Sequence, residues 1–270
     1  MGVASLRPMQ ALALDFDGVL SDSAAEAFAV SLETYLGLRR VEGWAALGAR
    51  VESLSREEIL DEPLCRAFVE GMPLGNRAED FGVVLRAIET GASLGDQAAY
   101  DRVFEAVGPE FRREFHERFY REREAFRARA PEAWLGLMGP YPEFLDVLRA
   151  HAGDARLAVA TAKDRASVDL LLAEYGVADL FAPELILDKE AGPDKRAHVT
   201  ALAERLGLPF EEITFVDDKV NHLDKVSRLG ARCALASWGY NGEREWKLAR
   251  ERGYAVLELG CAAEQLFGAR

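Results

Sequence analysis

From residue 140 onward, short apolar runs alternate with helical stretches, and the helices stop at glycines. Leu157–Ala160, Leu185–Leu187, Ile213–Val216, Cys233–Ala236 and Val256–Leu259 read as strands. Ala166–Tyr175, Arg196–Leu206 and Val220–Leu229 have helical period, and Gly176, Gly207 and Gly230 follow them where a C-cap residue belongs. Strands separated by such helices form βαβ units, which assemble as a parallel sheet covered on both faces.

One further strand, Ala11–Phe16, precedes all of these, and the interval from about 21 to 139 shows helical periodicity with no convincing strand. Ala24–Leu36 sets Ala25, Phe28, Leu32, Tyr35 and Leu36 on one face, and Phe111, Phe115, Phe119 and Phe126 make a second stripe. So long a connection is hard to fit inside a compact α/β domain. The expected fold is therefore a doubly wound α/β core of residues 1–20 and 140–270, with an all-helical domain of residues 21–139 inserted after its first strand. The chain would return at Gly139-Pro-Tyr-Pro142. With 270 residues, 49% of them hydrophobic, there is ample core for both parts.

Composition excludes several classes of function. A net charge of −13 opposes non-specific binding to nucleic acid or to an anionic membrane. No stretch of about 18 uncharged apolar residues occurs, so no membrane span is expected. Residues 1–20 lack the basic-then-apolar pattern of a secretory signal, and Met1-Gly2 is followed by Leu6 where myristoylation needs Ser or Thr. Cys65, Cys233 and Cys261 are scattered and odd in number, which fits buried thiols in a reducing cytoplasm.

The first strand ends in "ALALDFDGVLSD", where Asp15 and Asp17 are spaced to project to the same side of an extended chain. Two carboxylates that close repel unless one is protonated or a cation lies between them. Gly18 then permits a sharp turn. A calcium loop is disfavoured, because Val19 and Leu20 stand where an oxygen ligand and glycine are needed, although Glu26 occupies the twelfth place. Three later stretches add to the pattern. "LAVATAKD" places Thr161 just past a strand, "GPDKRAHV" places Lys195 at a helix start, and "ITFVDDKVNHL" places Asp217 and Asp218 at another strand end. All four can meet at one edge of a parallel sheet, where open α/β folds bind ligands.

Together the four stretches resemble the haloacid dehalogenase superfamily of phosphatases and phosphotransferases, in its phosphoglycolate phosphatase-like branch. The resemblance covers roughly residues 10–36 and 140–240. It implies a Rossmann-like core with a helical cap that closes over the site. It also implies that Asp15 is a nucleophile forming an aspartyl-phosphate, and that Asp17 is the general acid and base. Asp15, the backbone carbonyl of Asp17, and Asp218 would hold Mg²⁺, with Asp217 as a further possible ligand. Lys195 would neutralise charge, and Thr161 with the N–H of Ala162 would hold phosphoryl oxygens. Gly18, Thr161, Ala162 and Lys195 form the expected substrate-binding set. The implied function is a Mg²⁺-dependent, cytoplasmic phosphatase of a small phosphorylated metabolite, monomeric or homodimeric.

One departure from the family pattern is that Asp217 stands where many relatives have Gly, with Asn221 and His222 in the later places. His222 reads as a structural histidine early in a helix. A phosphomutase and a dehalogenase share the scaffold, and the dehalogenase is disfavoured because its chemistry needs neither Asp17 nor a metal. A receiver-type signalling domain would carry its acid pair and nucleophile on strands in the other order. A non-catalytic phosphate-binding protein would not need the full set of acids.

Within the insert, "GMPLGNRAEDFG" (71–82) reads as a loop, and Arg77 is a candidate contact for the substrate's distal group, against the plainer reading of a solvated arginine. Pro109–Arg129 carries seven arginines and five glutamates around its aromatic stripe. That is a core-facing helix with a mixed charged face, not a nucleic-acid surface.

Overall fold

The computed structural model describes residues 9–75 and 77–268. The Met1-Gly2 and Leu6 positions, and Asn76 within the 71–82 stretch, lie outside them. The chain forms two compact units: one made of the residues up to Asp22 and from Pro140 onward, the other of Ser23–Gly139.

The first unit is built on six parallel strands: β1 (Ala11–Leu14), β4 (Arg156–Ala160), β5 (Ile186–Leu187), β6 (Ile213–Asp217), β7 (Arg232–Ala236) and β8 (Ala255–Leu257). Two-residue strands β2 (Ser21–Asp22) and β3 (Gly139–Pro140) stand where the chain leaves and rejoins this unit. The sheet order is β5-β4-β1-β6-β7-β8. After β1 the chain goes on to β4 and β5 on one side, and after β6 it goes on to β7 and β8 on the other. The direction therefore reverses between β1 and β6, which is the crevice where open α/β sheets take ligands.

β1 is buried along its whole length, as expected of a parallel sheet covered on both faces. Its alternation sends Ala11 and Ala13 into a cluster with Ala158, Phe215, Val199, Leu202 and Leu223, while Leu12 and Leu14 point the other way and are equally buried. The helices Arg165–Glu174, Lys195–Leu206 and Val220–Ser227 connect these strands. Gly207 closes the second of them in the left-handed region (φ 64°).

His198 on Lys195–Leu206 is buried, and burial first, then the Lys195 charge, lower its imidazole from 6.5 to about 4. The folded protein therefore keeps His198 neutral at a pH where the unfolded chain would already bind a proton. Stability should fall by up to about 3 kcal/mol as pH drops from about 6.5 to about 4. Urea unfolding of wild type and of His198→Leu across that window would show the slope, and its loss in the variant.

Strand ends differ from the sequence reading in two instructive places. β1 stops at Leu14, not Phe16, because Phe16 already accepts the turn hydrogen bonds from Leu20 and Ser21 N–H. β8 ends at Leu257, since Leu259 starts a 3₁₀ turn. The cysteines also depart from expectation: all three are free thiols, but only Cys65 is buried, Cys233 being half-buried and Cys261 exposed.

Among the described residues of the second unit, the regular structure is helical except for Gly139 of β3. Helix Ala24–Leu38 presents no single apolar face, because Ala24 to Leu32 are buried on every side. It packs against several other helices of its unit. Its Glu26, 0% exposed, accepts two hydrogen bonds from Arg123 (2.7 and 2.8 Å) and one from Trp134 Nε1 (3.0 Å). A buried charge of that kind needs such a partner set. Helix Gln97–Arg129 is two helices joined at Gly108 (φ 77°), with Pro109 opening the second, as a proline at a first helical position does. Phe115, Phe119 and Phe126 are buried, and Phe111, half-buried, meets Tyr35 edge to face. The 71–82 stretch is not one loop: Met72–Leu74 is a 3₁₀ turn and Ala78–Thr90 is already helix. Asp80 anchors that start by accepting from Arg77 N–H at 2.9 Å, so the sequence's glycines mislead there.

Candidate active site

The register alone brings the first two acids together. Leu14 pairs with Val216 across β1 and β6, and Asp15 N–H continues the ladder to Val216 O at 2.9 Å. Asp15 therefore emerges beside Asp217, on a neighbouring strand less than about 5 Å away. Both are buried, and two bare carboxylates there would repel.

Lys195 resolves the conflict. Its Nζ lies 2.5 Å from Asp15 Oδ1, 3.5 Å from Asp217 Oδ2 and 2.6 Å from Ala160 O. It is the first residue of its helix, whose N-cap Asp194 accepts from Ala197 N–H at 3.0 Å. A cation at a helix N-terminus opposes the helix dipole, so the acids across the crevice must outweigh that cost. Burial alone would lower the Lys195 ammonium's pKa, but Asp15 and Asp217 raise it. On the Asp15 carboxyl burial wins and pushes it up to about 7, against the pull of Lys195.

His222 completes the group. Its Nδ1 lies 3.0 Å from both oxygens of Asp217, which also accepts from Lys219 N–H at 2.9 Å. Burial would raise Asp217, yet His222 and Lys195 hold it well below the usual carboxylate range. Ligand atoms of Asp15, Asp217 and His222 come within 4.8 Å of one another, as in a metal cluster. Lys195 bridges two of them already, so its one ammonium offsets part of the charge of the two acids.

Asp218 behaves differently. It is fully buried; its Oδ2 accepts from Tyr240 N–H at 3.0 Å, and its Oδ1 has no hydrogen-bond partner. Burial, and then Asp217, push its carboxyl far above the ordinary value. A buried carboxylate oxygen without a donor suits a divalent cation, which takes hard oxygen ligands. Asp218 also lies against the loop that carries Asp17. A Cβ on Gly18 would stand 2.6 Å from Asp218 Cγ and Oδ2, and Gly18 turns with φ 83°. Only glycine allows both.

Sequence reasoning missed the segment that supports Asp218. After β7, Asn241 Nδ2 donates to Asp218 O and Ala236 O, each at 2.9 Å, and its Oδ1 accepts from Trp246 Nε1 at 2.6 Å. Trp238 Nε1 donates to Val19 O at 3.1 Å, so this segment holds the Asp17–Gly18 loop as well. Between them, Gly239 has no room for a side chain: a Cβ would strike Asp218 Cβ and stand 2.5 Å from Gly18 O. Gly239→Ala should cost about 1–3 kcal/mol of stability, and turnover should fall because Asp218 and Gly18 must separate. Thermal unfolding and a phosphatase assay on one preparation check both.

Thr161 follows β4, and its N–H continues the ladder to Leu187 O at 2.9 Å. It is buried, Ala162 beside it is exposed, and Thr161 Oγ1 accepts from Lys163 N–H at 3.1 Å. Asp17 is partly exposed and pairs with Lys163, to which the sequence alone assigns no part. Arg77 belongs to the helical unit, where its side chain is exposed and its backbone caps Ala78–Thr90. No helix among the described residues is long and apolar enough to cross a membrane.

A family model for haloacid dehalogenase-like hydrolases matches residues 9–224. No curated protein matches the chain. Among solved structures, a protein described as a predicted phosphoglycolate phosphatase from Haemophilus somnus is 18% identical, with 96% of each chain covered and a TM-score of 0.61. A predicted phosphatase from Clostridium acetobutylicum is 14% identical, covering 97% of this chain and 100% of its own, at 0.59. A haloacid dehalogenase-like hydrolase from Streptococcus pneumoniae is 15% identical, covering 93% and 95%, at 0.57. At such identities the likeness is one of fold.

Proposed function

We propose, since the chain belongs to the haloacid dehalogenase-like hydrolases, that it is a Mg²⁺-dependent phosphatase acting on a small phosphorylated metabolite in the cytoplasm. The observation that carries the reading is the split between two neighbouring acids. Asp217 is fully engaged by Lys195 and His222, whereas Asp218 keeps one buried oxygen without a donor beside Gly18. The first arrangement steadies a nucleophile; the second suits a cation.

In the first step an Asp15 oxygen attacks phosphorus and the bond from phosphorus to the leaving oxygen breaks. Asp17 gives that oxygen its proton. In the second, water attacks the phosphorus of the aspartyl-phosphate, Asp17 takes the water's proton, and the bond to Asp15 breaks to release phosphate. Lys195 offsets the negative charge gathered at Asp15, and Thr161 donates its hydroxyl proton to a phosphoryl oxygen. That hydroxyl is suitably turned, because its oxygen already accepts from Lys163 N–H. Asp15, Asp218 and the carbonyl of Asp17 would hold Mg²⁺, with Asp217 supporting through Lys195. Bound there, the ion supplies charge neutralisation at the phosphoryl group. Gly18 and the N–H of Ala162 complete the phosphoryl pocket, and Arg77 of the helical unit is the proposed contact for the substrate's distal group.

The test is a screen of phosphorylated metabolites with Mg²⁺ and with chelator, comparing wild type with Asp15→Asn and Asp17→Asn. Metal-dependent phosphate release that both substitutions remove is the expected result. Metal-independent turnover, or halide release from a haloacid, would contradict it; transfer of the phosphoryl group to a sugar would make the enzyme a mutase.

A further inference from the structure

We propose that Lys163 is a positioning residue that aims Asp17, and so sets how well the enzyme expels poor leaving groups. The inference rests on the phosphatase reading and adds to it a residue and a measurable specificity.

Lys163 Nζ lies 2.9 Å from Asp17 Oδ1, and the lysine side chain is 0% exposed while that of Asp17 is 33% exposed. The ammonium also lies 5.9 Å from the centre of the Phe16 ring. Its backbone is fixed at both ends: the N–H donates to Thr161 Oγ1 at 3.1 Å, and the carbonyl accepts from Lys189 N–H at 3.3 Å. Burying a lysine costs both solvation and rotamer entropy, so a solvated surface pair would be the cheaper arrangement for ion pairing alone.

What this pair adds is direction. With Oδ1 held by a buried ammonium, rotation about the Asp17 side-chain bonds is restrained, and the proton given to the leaving oxygen is carried on Oδ2. Lys163 thereby joins the residue that holds the phosphoryl group, Thr161, to the residue that handles the proton, Asp17. One short turn after β4 (Thr161–Lys163) sets both. Lys163 itself exchanges no proton in either step.

The consequence can be read from leaving-group dependence. Phenolate leaves poorly and needs the proton; p-nitrophenolate leaves well and hardly needs it. Kinetics of phenyl phosphate and p-nitrophenyl phosphate should therefore be compared for wild type, Lys163→Met, Lys163→Arg and Asp17→Asn. General acid catalysis is worth about a hundredfold or more, so Lys163→Met should lose roughly tenfold more kcat on phenyl phosphate than on p-nitrophenyl phosphate. KM should change little, Lys163→Arg should recover part of the loss, and Asp17→Asn should show the same dependence, more strongly. Should Lys163→Met not fold, the arginine variant still decides: it keeps the charge, but its longer, planar guanidinium cannot repeat the point contact of Nζ with Asp17, so it must produce a smaller loss of the same kind.

Equal losses on both esters, or a change confined to KM, would overturn the inference. If Asp17→Asn shows the dependence and the Lys163 variants do not, only the role of Lys163 falls. If Asp17→Asn shows none, the proton-transfer role of Asp17 falls too, and the Lys163 inference with it.

Discussion

Asp15→Asn should abolish phosphate release, by about 10⁴-fold or more, while leaving the protein as stable as wild type or more so. The loss follows from chemistry: an amide oxygen does not form a stable bond to phosphorus. The stability follows from the site. The Asp15 carboxyl is buried, and burial pushes it up to about 7, so its charged form is held at a cost. Asparagine keeps the shape and the acceptor for Phe16 N–H, now at 2.7 Å, without the charge. Lys195 would retain Asp217 and Ala160 O. Assay and thermal unfolding should therefore move apart, as they do where an active site is held against its own stability. A fall in both together would mean that Asp15 is chiefly structural.

Lys195→Met should instead lower both. It leaves Asp15 and Asp217 facing each other across the crevice with no cation between them, and strips Ala160 O of its donor. Breaking a buried pair from one side costs about 3–5 kcal/mol. With two acids left behind, the metal-free protein should lose stability in that range, measured by urea unfolding. Turnover should fall about 10²–10³-fold, the usual loss for one fixed electrostatic group. Added Mg²⁺ should restore part of the stability, because a cation at Asp218 would relieve the same repulsion. Unchanged stability would show that the two acids do not depend on Lys195.

Much of this site was legible before any coordinates. Asp15, Thr161, Lys195 and Asp217-Asp218 each lie at a strand end or helix start, and in a parallel sheet such positions share one edge. The sheet itself was legible because its helices end at glycines and its strands are apolar through their length. What could not be read was direction within loops. The sequence left Asp217 as a possible metal ligand; only the register of β1 against β6 and the reach of Lys195 show it facing that ammonium, with His222 behind it. Lys163 had one available signal. The chain has only six lysines, a scarcity that marks Lys163 as much as Lys195. Its part depends on reaching across to the Asp17 loop, 146 residues earlier in the chain, and no local pattern encodes that reach. Gly239 and Asn241 were hidden for the same reason. In the helical unit the amphipathic reading of Ala24–Leu36 fell short because that helix is surrounded by others, so its buried Glu26 needed Arg123 from far along the chain.

The most direct test is to trap the enzyme during turnover of radiolabelled p-nitrophenyl phosphate by acid quench, and then to map the label by peptide analysis. An acid-stable, hydroxylamine-labile phosphoryl group on the peptide containing Asp15, absent in Asp15→Asn, is the expected result. Steady turnover with no label on that peptide, or with label on another residue, would contradict nucleophilic attack by Asp15.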